Sequence, residues 1–270
     1  GHWSEDMREG FGLLTTQNGV YVGFFARNER HGFGKLCWSN GDVYAGEWRK
    51  NHRDGEGSWT SGAGNSYFGG WRADKRHGYG VFKWANGDVY EGLWDNDRMQ
   101  GEGSLAYASG NVYMGEFTND APNGFGRFTW VGGDVYEGPW HHGEMSGDGR
   151  IRYANGDVYM GSVKPNGRDG WGKLVSGADT YEGWWANDRR HGWGHAKLAG
   201  GEEYWGEWAH DVRDGWGSLV SADGGRYNGI FSQGKMAPER RTSAVASGVV
   251  ASGGQSRAML RMSHPPLISL

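Results

Sequence analysis

Residues 86–103 read NGDVYEGLWDNDRMQGEG, and the rest of the chain is built from variants of this stretch. In an extended strand successive side chains alternate between faces, so Tyr90, Gly92 and Trp94 share one side while Val89, Glu91 and Leu93 share the other. Upstream, Asn86-Gly87 is a dipeptide suited to positive φ at both centres of a type I′ turn. It predicts a second, antiparallel strand over residues 78–84, ending in Phe82, Lys83 and Trp84. Downstream, residues 95–100 are polar and read as a short return loop, with the next strand starting at Gly101-Glu102-Gly103. The predicted unit is a hairpin plus a return loop.

The unit recurs. Its tyrosine falls at Tyr21, Tyr44, Tyr67, Tyr90, Tyr113, Tyr136, Tyr159, Tyr181, Tyr204 and Tyr227. The spacing is 23 residues throughout, except 22 between Tyr159 and Tyr181. The large residue four places after each tyrosine runs Phe25, Trp48, Trp71, Trp94, Phe117, Trp140, Val163, Trp185, Trp208 and Phe231, so Val163 alone is not aromatic. A Gly-x-Gly pair follows in every unit but the last, where Pro238 stands in place of the first glycine. A sustained period with fixed aromatic, glycine and turn positions is the signature of a repeat architecture.

This pattern, Tyr-x-Gly-x-Trp, a polar segment, Gly-x-Gly and then Asn-Gly-Asp, resembles the MORN repeat family over roughly the first 235 residues. The departures are Val163, Pro139, Pro165 and Pro238. The resemblance implies an all-β fold: an elongated single-layer antiparallel repeat solenoid with one β-hairpin per 23-residue unit. The array is expected over residues 1–235, with an irregular C-terminal tail over 236–270. Gly1-His2-Trp3 matches a unit only from its second half onward, so the chain is expected to start inside a repeat, with more sequence before it.

Composition agrees once the repeat is recognised. The chain is 36% hydrophobic with a mean hydropathy of -0.76, values that on their own lean towards poor core formation. It also carries 52 glycines and 16 tryptophans. Stacked rings can bury large areas in a thin fold that lacks a central globular core. Regular glycine inside strands costs about 0.5–1 kcal/mol each relative to alanine. Its expected purpose is to let neighbouring rings lie over the backbone. The opposite face is expected to carry Glu91, Glu137 and Glu182 against Lys35, Lys83, Arg127, Arg150, Arg152 and Lys173, as weak exposed cross-strand pairs. Two strands per unit, each about 4.8 Å from the next, make ten units a rod of roughly 100 Å.

A net charge of -4 gives no global attraction to nucleic acid or anionic lipid. Cys37 is the sole cysteine, which fits a reducing, cytoplasmic compartment. No apolar run approaches the about 20 residues of a spanning helix.

Among candidate sites, Arg8, Arg30, Arg53, Arg76, Arg168, Arg190 and Arg213 each precede a Gly-x-Gly by two residues, interrupted at Met99, Pro122 and Met145. Two readings compete for them. One is a ridge that docks an acidic partner or phosphate groups by forked hydrogen bonds. The other is a row of loop charges paired with nearby Asp54, Asp169 or Asp214. His31, His77 and His191 recur at most once per unit, too sparsely to converge on a metal. Gly-x-Gly has neither the following helix nor the Gly-Lys-Ser/Thr of a phosphate loop, and the turn carboxylates are accounted for by turn chemistry. Base stacking by the tryptophans is weaker than core packing as an explanation for the same positions in every unit. Neither catalytic residues nor a metal or other cofactor is expected.

In the tail, Met259, Leu260, Met262, Leu267, Ile268 and Leu270 are candidate anchors beside Arg240, Arg241, Arg257 and Arg261. The Ala-Ser-Gly composition at 244–254 reads as that of a flexible spacer, and the tail is expected to dock on a partner. The family resemblance implies a structural scaffold for other proteins of a large complex, homo- or hetero-oligomeric, of the kind found in ciliary and flagellar radial spokes and protist cytoskeletons. The alternative it implies is a phosphoinositide-binding regulatory array of a larger enzyme.

Overall fold

The computed structural model describes residues 2–4 and 6–237. The candidate anchors between Met259 and Leu270 lie outside the described residues. The described residues contain no helix; 23 strands pair antiparallel with their chain neighbours, from His2–Ser4 to Lys235–Met236, in one open meander. The strands Lys75–Lys83, Val89–Asp95 and Arg98–Ala106 show the plan: Phe82 pairs with Tyr90, and Tyr90 in turn with Leu105.

The alternation predicted for Tyr90, Gly92 and Trp94 holds, for these three are buried and Glu91 and Leu93 exposed. The equivalent rows form one continuous core of tyrosines, tryptophans and aliphatic residues along a single face of the sheet. A tyrosine ring covers each cross-strand glycine pair. A methyl group on Gly103 would lie 2.5 Å from the Tyr90 hydroxyl and 2.6 Å from its ring, which is why only glycine fits there. The hydroxyl donates to the Leu93 carbonyl at 2.9 Å, and the same bond recurs from Tyr21 to Tyr227. Edge-on packing links units: the Tyr90 ring meets Trp94 at 5.2 Å and Phe117 of the next unit at 5.0 Å.

The turns reverse the expectation. At Asn86-Gly87 only Gly87 has positive φ, +98°; the Gly87 N–H donates to the Trp84 carbonyl and the Trp84 N–H to that of Asp88. This is a three-residue loop closed by a left-handed glycine, not a type I′ turn. The type I′ turns lie at the other end of each strand, in the supposed return loops. Asn96 and Asp97 have φ of 51° and 71°, and Ala73-Asp74, Asn119-Asp120 and His210-Asp211 repeat the geometry. The return loop is therefore two residues long, and the next strand begins at Arg98 rather than Gly101. A bulge between Met99 and Gly103 takes up the extra residues, with Gly101 at φ +74°.

Two irregular units have local causes. The 22-residue spacing arises at Gly177-Ala178, a two-residue turn with positive φ, +58°, only at Gly177, which, like Gln17-Asn18 in the first hairpin, stands in place of the three-residue loop of the other units. At Pro165-Asn166 the proline ring fixes φ near −65° and forbids a type I′ turn. Neither residue has positive φ there, and Gly167, at +109°, takes the left-handed position. Pro139 sits in a strand whose next partner is interrupted at Ser146, the N–H of which reaches the Pro139 carbonyl.

Candidate interaction surfaces

The seven arginines are in strands, not loops, and they sit on the core face. Trp71 pairs with Arg76 across one bulge, and Arg76 is aligned with the inner row of rings. Its guanidinium carbon lies 4.1 Å from the centre of the Trp94 ring. Arg53 stands 4.0 Å from Trp71, Arg168 3.9 Å from Trp185, Arg190 4.1 Å from Trp208, and Arg30 4.2 Å from Trp48. Arg8 covers Phe25 at 5.1 Å and Arg213 covers Tyr204 at 4.9 Å.

Their partners also differ from those expected. Arg76 donates from Nε to the Asp97 carboxylate at 3.1 Å and from Nη2 to the Asp97 carbonyl at 2.9 Å. The Arg76 backbone N–H donates to the same carboxylate at 3.0 Å. Asp74, Asp188 and Asp211 receive Arg53, Arg168 and Arg190 in the same way, while Asn28 and Asn51 receive Arg8 and Arg30. Arg213 turns instead to Glu202. Asp54, Asp169 and Asp214 are not the arginine partners: Arg49 takes Asp54, Lys164 takes Asp169, and the Gln233 N–H takes Asp214. Each of these arginines except Arg213 thus clamps the tight turn of the following unit while stacking on a ring of that unit. Burial pulls the Arg30 guanidinium below its usual range and pushes the Tyr21 hydroxyl up to about 12 against the opposing pull of Arg30. Burial also disfavours the Asp74 carboxylate, but hydrogen bonds from the Arg53 N–H, His52 and the Arg53 guanidinium outweigh it and hold its carboxyl below the usual range.

His77 bonds Asp95 through Nδ1 at 3.1 Å, and His31 is exposed. No group of three or more potential metal ligands occurs among the described residues.

The outer face holds what the alternation rule would have found had it been applied to the middle residue of each Gly-x-Gly. Besides the ion pairs Arg127–Glu137 and Lys173–Glu182, it exposes large apolar side chains: Phe11, Phe33, Tyr79 and Phe125, then Trp193 and Trp216. Trp184, Trp205 and Ile230 on intervening strands extend the row, so tryptophan concentrates between residues 171 and 216. Contiguous exposed apolar surface marks interaction sites.

Aromatic hairpins joined by arginine-clamped turns into one open sheet define a β-hairpin repeat array. The chain belongs to the MORN repeat family, whose model matches residues 1–20, 21–43, 44–66, 67–89, 90–112, 113–135, 136–158 and 204–226. Hairpins continue through the unmatched residues 159–203, where Val163, Pro165 and the Gly177 turn depart from the pattern. No curated protein matches. Among solved structures, the wild-type TCP10 domain of Danio rerio CPAP is 10% identical with a TM-score of 0.39, covering 82% of this chain and 100% of that one. A point mutant of the same domain is also 10% identical, TM-score 0.41, covering 82% and 99%. The TCP domain of Drosophila melanogaster SAS-4, solved with a proline-rich motif of Ana2, is 8% identical, TM-score 0.33, covering 57% and 90%. Arrays of this family generally serve as non-catalytic scaffolds or binding surfaces, and the repeats here support an interaction role.

Proposed function

We propose that this chain is a non-catalytic scaffold: a rod that positions other proteins of a cytoskeletal assembly, in the ciliary or flagellar axoneme in the manner of radial-spoke head proteins. The observation that supports it is continuous pairing from His2 to Met236, which gives a long stiff sheet with an apolar outer row available to partners. A rod whose units touch only their neighbours fixes distances between bound proteins, which is the mechanical requirement of a spoke or scaffold. The core-face arginines contribute by stiffening the joint between units. The tail anchors Met259, Leu260, Met262, Leu267, Ile268 and Leu270 would add a second attachment.

The test is fractionation of a flagellated cell expressing the tagged full chain. Retention with the detergent-insoluble axoneme is expected. Release with the detergent-soluble membrane fraction, together with salt-sensitive sedimentation of the purified chain on phosphoinositide vesicles, would replace the scaffold with a lipid-binding array.

A further inference from the structure

Glu207 occupies the middle position of Gly206-Glu207-Trp208 and projects to the outer face between two tryptophan-bearing strands. On one side, Trp193 of the strand Arg189–Lys197 is its direct cross-strand partner. On the other, its carboxylate accepts from the Trp216 backbone N–H at 3.2 Å, at the bulge of the strand Val212–Val220. Trp205 stands two residues away on the same face of its own strand, Glu203–Ala209. The three indoles are 48%, 39% and 48% exposed. His195 stacks flat on Trp205 at 4.5 Å and bonds Glu203 at 2.9 Å, which fixes that ring.

Other units do not repeat this arrangement. Glu47 faces Phe33 with Ala45 beside it, and Glu116 faces Glu102 with Met114 beside it. Only Glu207 among these is framed by three tryptophans.

We propose that Trp193, Trp205, Trp216 and Glu207 form a receptor for a quaternary ammonium group, and that its occupant is a methylated lysine on a protein partner. Indole is the best aromatic surface for a cation, which it attracts from within about 6 Å of the ring centre. Trp193 and Trp216 lie on strands two apart, whose backbones are about 10 Å from each other, so a cation seated over Glu207 on the strand between them is within reach of both indoles. A trimethylammonium head fills that gap, whereas a bare ammonium is smaller and more strongly hydrated. Glu207 supplies the opposite charge; one oxygen is taken by the Trp216 N–H, which suits a cation needing no hydrogen bond. The same head group occurs in choline lipids. There a phosphate accompanies it, and Glu203 and Glu207 on one strand face would repel that phosphate, with Lys197 already opposite Glu203. The protein source is therefore favoured.

The inference rests on the scaffold reading for the partner's being a protein, but its test does not need the partner. The purified full chain is titrated with N-acetyl-trimethyllysine methylamide while the tryptophan indole signals are followed by NMR. The same titration uses unmethylated lysine, the neutral tert-butyl isostere of trimethyllysine, and phosphocholine. Trimethyllysine should bind at least tenfold tighter than lysine, the isostere and phosphocholine, shifting Trp193, Trp205 and Trp216. Glu207→Gln should weaken it several-fold, and Trp216→Leu, which keeps an apolar side chain without a π face, should abolish it. Both variants are first matched to the parent in urea midpoint, and Glu47→Gln serves as the unframed control. Equal binding of the neutral isostere would reduce the site to an apolar patch. Tighter binding of phosphocholine would assign it to lipid, and no shift in these three indoles would remove it. Either loss leaves the array's placement in an assembly to be decided by fractionation.

Discussion

The tyrosine of a regular unit, such as Tyr90, does three things: it covers two glycines, closes a hydrogen bond to a carbonyl three residues on, and packs edge-on against two rings. Removing only the hydroxyl, by Tyr90→Phe, should cost about 1 kcal/mol, the usual net worth of one such bond. Gly103→Ala puts a methyl group into the Tyr90 ring, with its nearest neighbours all parts of that ring and hydroxyl, and should cost about 3 kcal/mol. Urea unfolding of both variants measures the ranking, and a glycine variant milder than the phenylalanine one would contradict the close packing. The same burial makes the array alkali-sensitive. Burial pushes the Tyr21 and Tyr204 hydroxyls up to about 12, and it raises Tyr44, Tyr67, Tyr90, Tyr113, Tyr136, Tyr159 and Tyr181 as well. Between pH 10, where unfolded tyrosine ionises, and these raised values the folded chain holds more protons, so stability falls as pH rises. It should be undiminished by this cause below pH 10. Tyrosinate absorbance rising together with loss of the β-sheet signal checks this; ionisation at pH 10 with the fold intact would contradict it.

At the scale of the hairpin, the two kinds of turn alternate, and each demands different residues. Ala73 opens a type I′ turn at φ +46°, a strained position for a residue with a β-carbon. Ala73→Gly should therefore stabilise by up to about 1 kcal/mol, and Asn96→Pro, which cannot reach positive φ, should destabilise by about 3 kcal/mol or more. Thermal melts give both signs. The strands themselves were legible, because Tyr-x-Gly-x-Trp alternates with period two and recurs every 23 residues. The turns were not, because Asn-Gly serves both a type I′ turn and a loop closed by left-handed glycine, and hydrogen bonding rather than composition decides between them. The arginines failed for a related reason. Nothing in Arg-x-Gly-x-Gly says that, for all but Arg213, a bulge brings the guanidinium over a ring of the next unit, or that its aspartate or asparagine partner stands 20 or 21 residues downstream instead of next door. The outer tryptophans were legible in principle, since the rule that places Tyr90 and Trp94 inside places Trp193 and Trp216 outside.

Along the whole array, each strand bonds only to its chain neighbours, save that Val135–His141 pairs with both Glu144–Met145 and Gly147–Arg152 across the Ser146 interruption, and each ring stack or arginine clamp reaches no further than the adjoining unit. Coupling is therefore short-ranged, and damage should stay local in a way it does not in a globular core. Trp94 is the sharpest place to ask. Its ring packs on Tyr90 and on Tyr67 of the preceding unit, lies under the Arg76 guanidinium, and donates from Nε1 to the Gly80 carbonyl at 3.3 Å. Trp94→Ala removes all four contacts and should cost about 3–5 kcal/mol where it sits, as truncation of large buried aromatics does. Amide exchange should then quicken in Ser66–Arg72, Lys75–Lys83, Val89–Asp95 and Arg98–Ala106, while Gly19–Ala26 and Glu203–Ala209 keep the protection of the parent chain. Uniform acceleration from end to end would mean that the sheet unfolds as one cooperative body. In that case a partner bound at the tryptophan-rich end would stabilise the far end as well, and the rod would transmit binding energy along its length as well as hold distance.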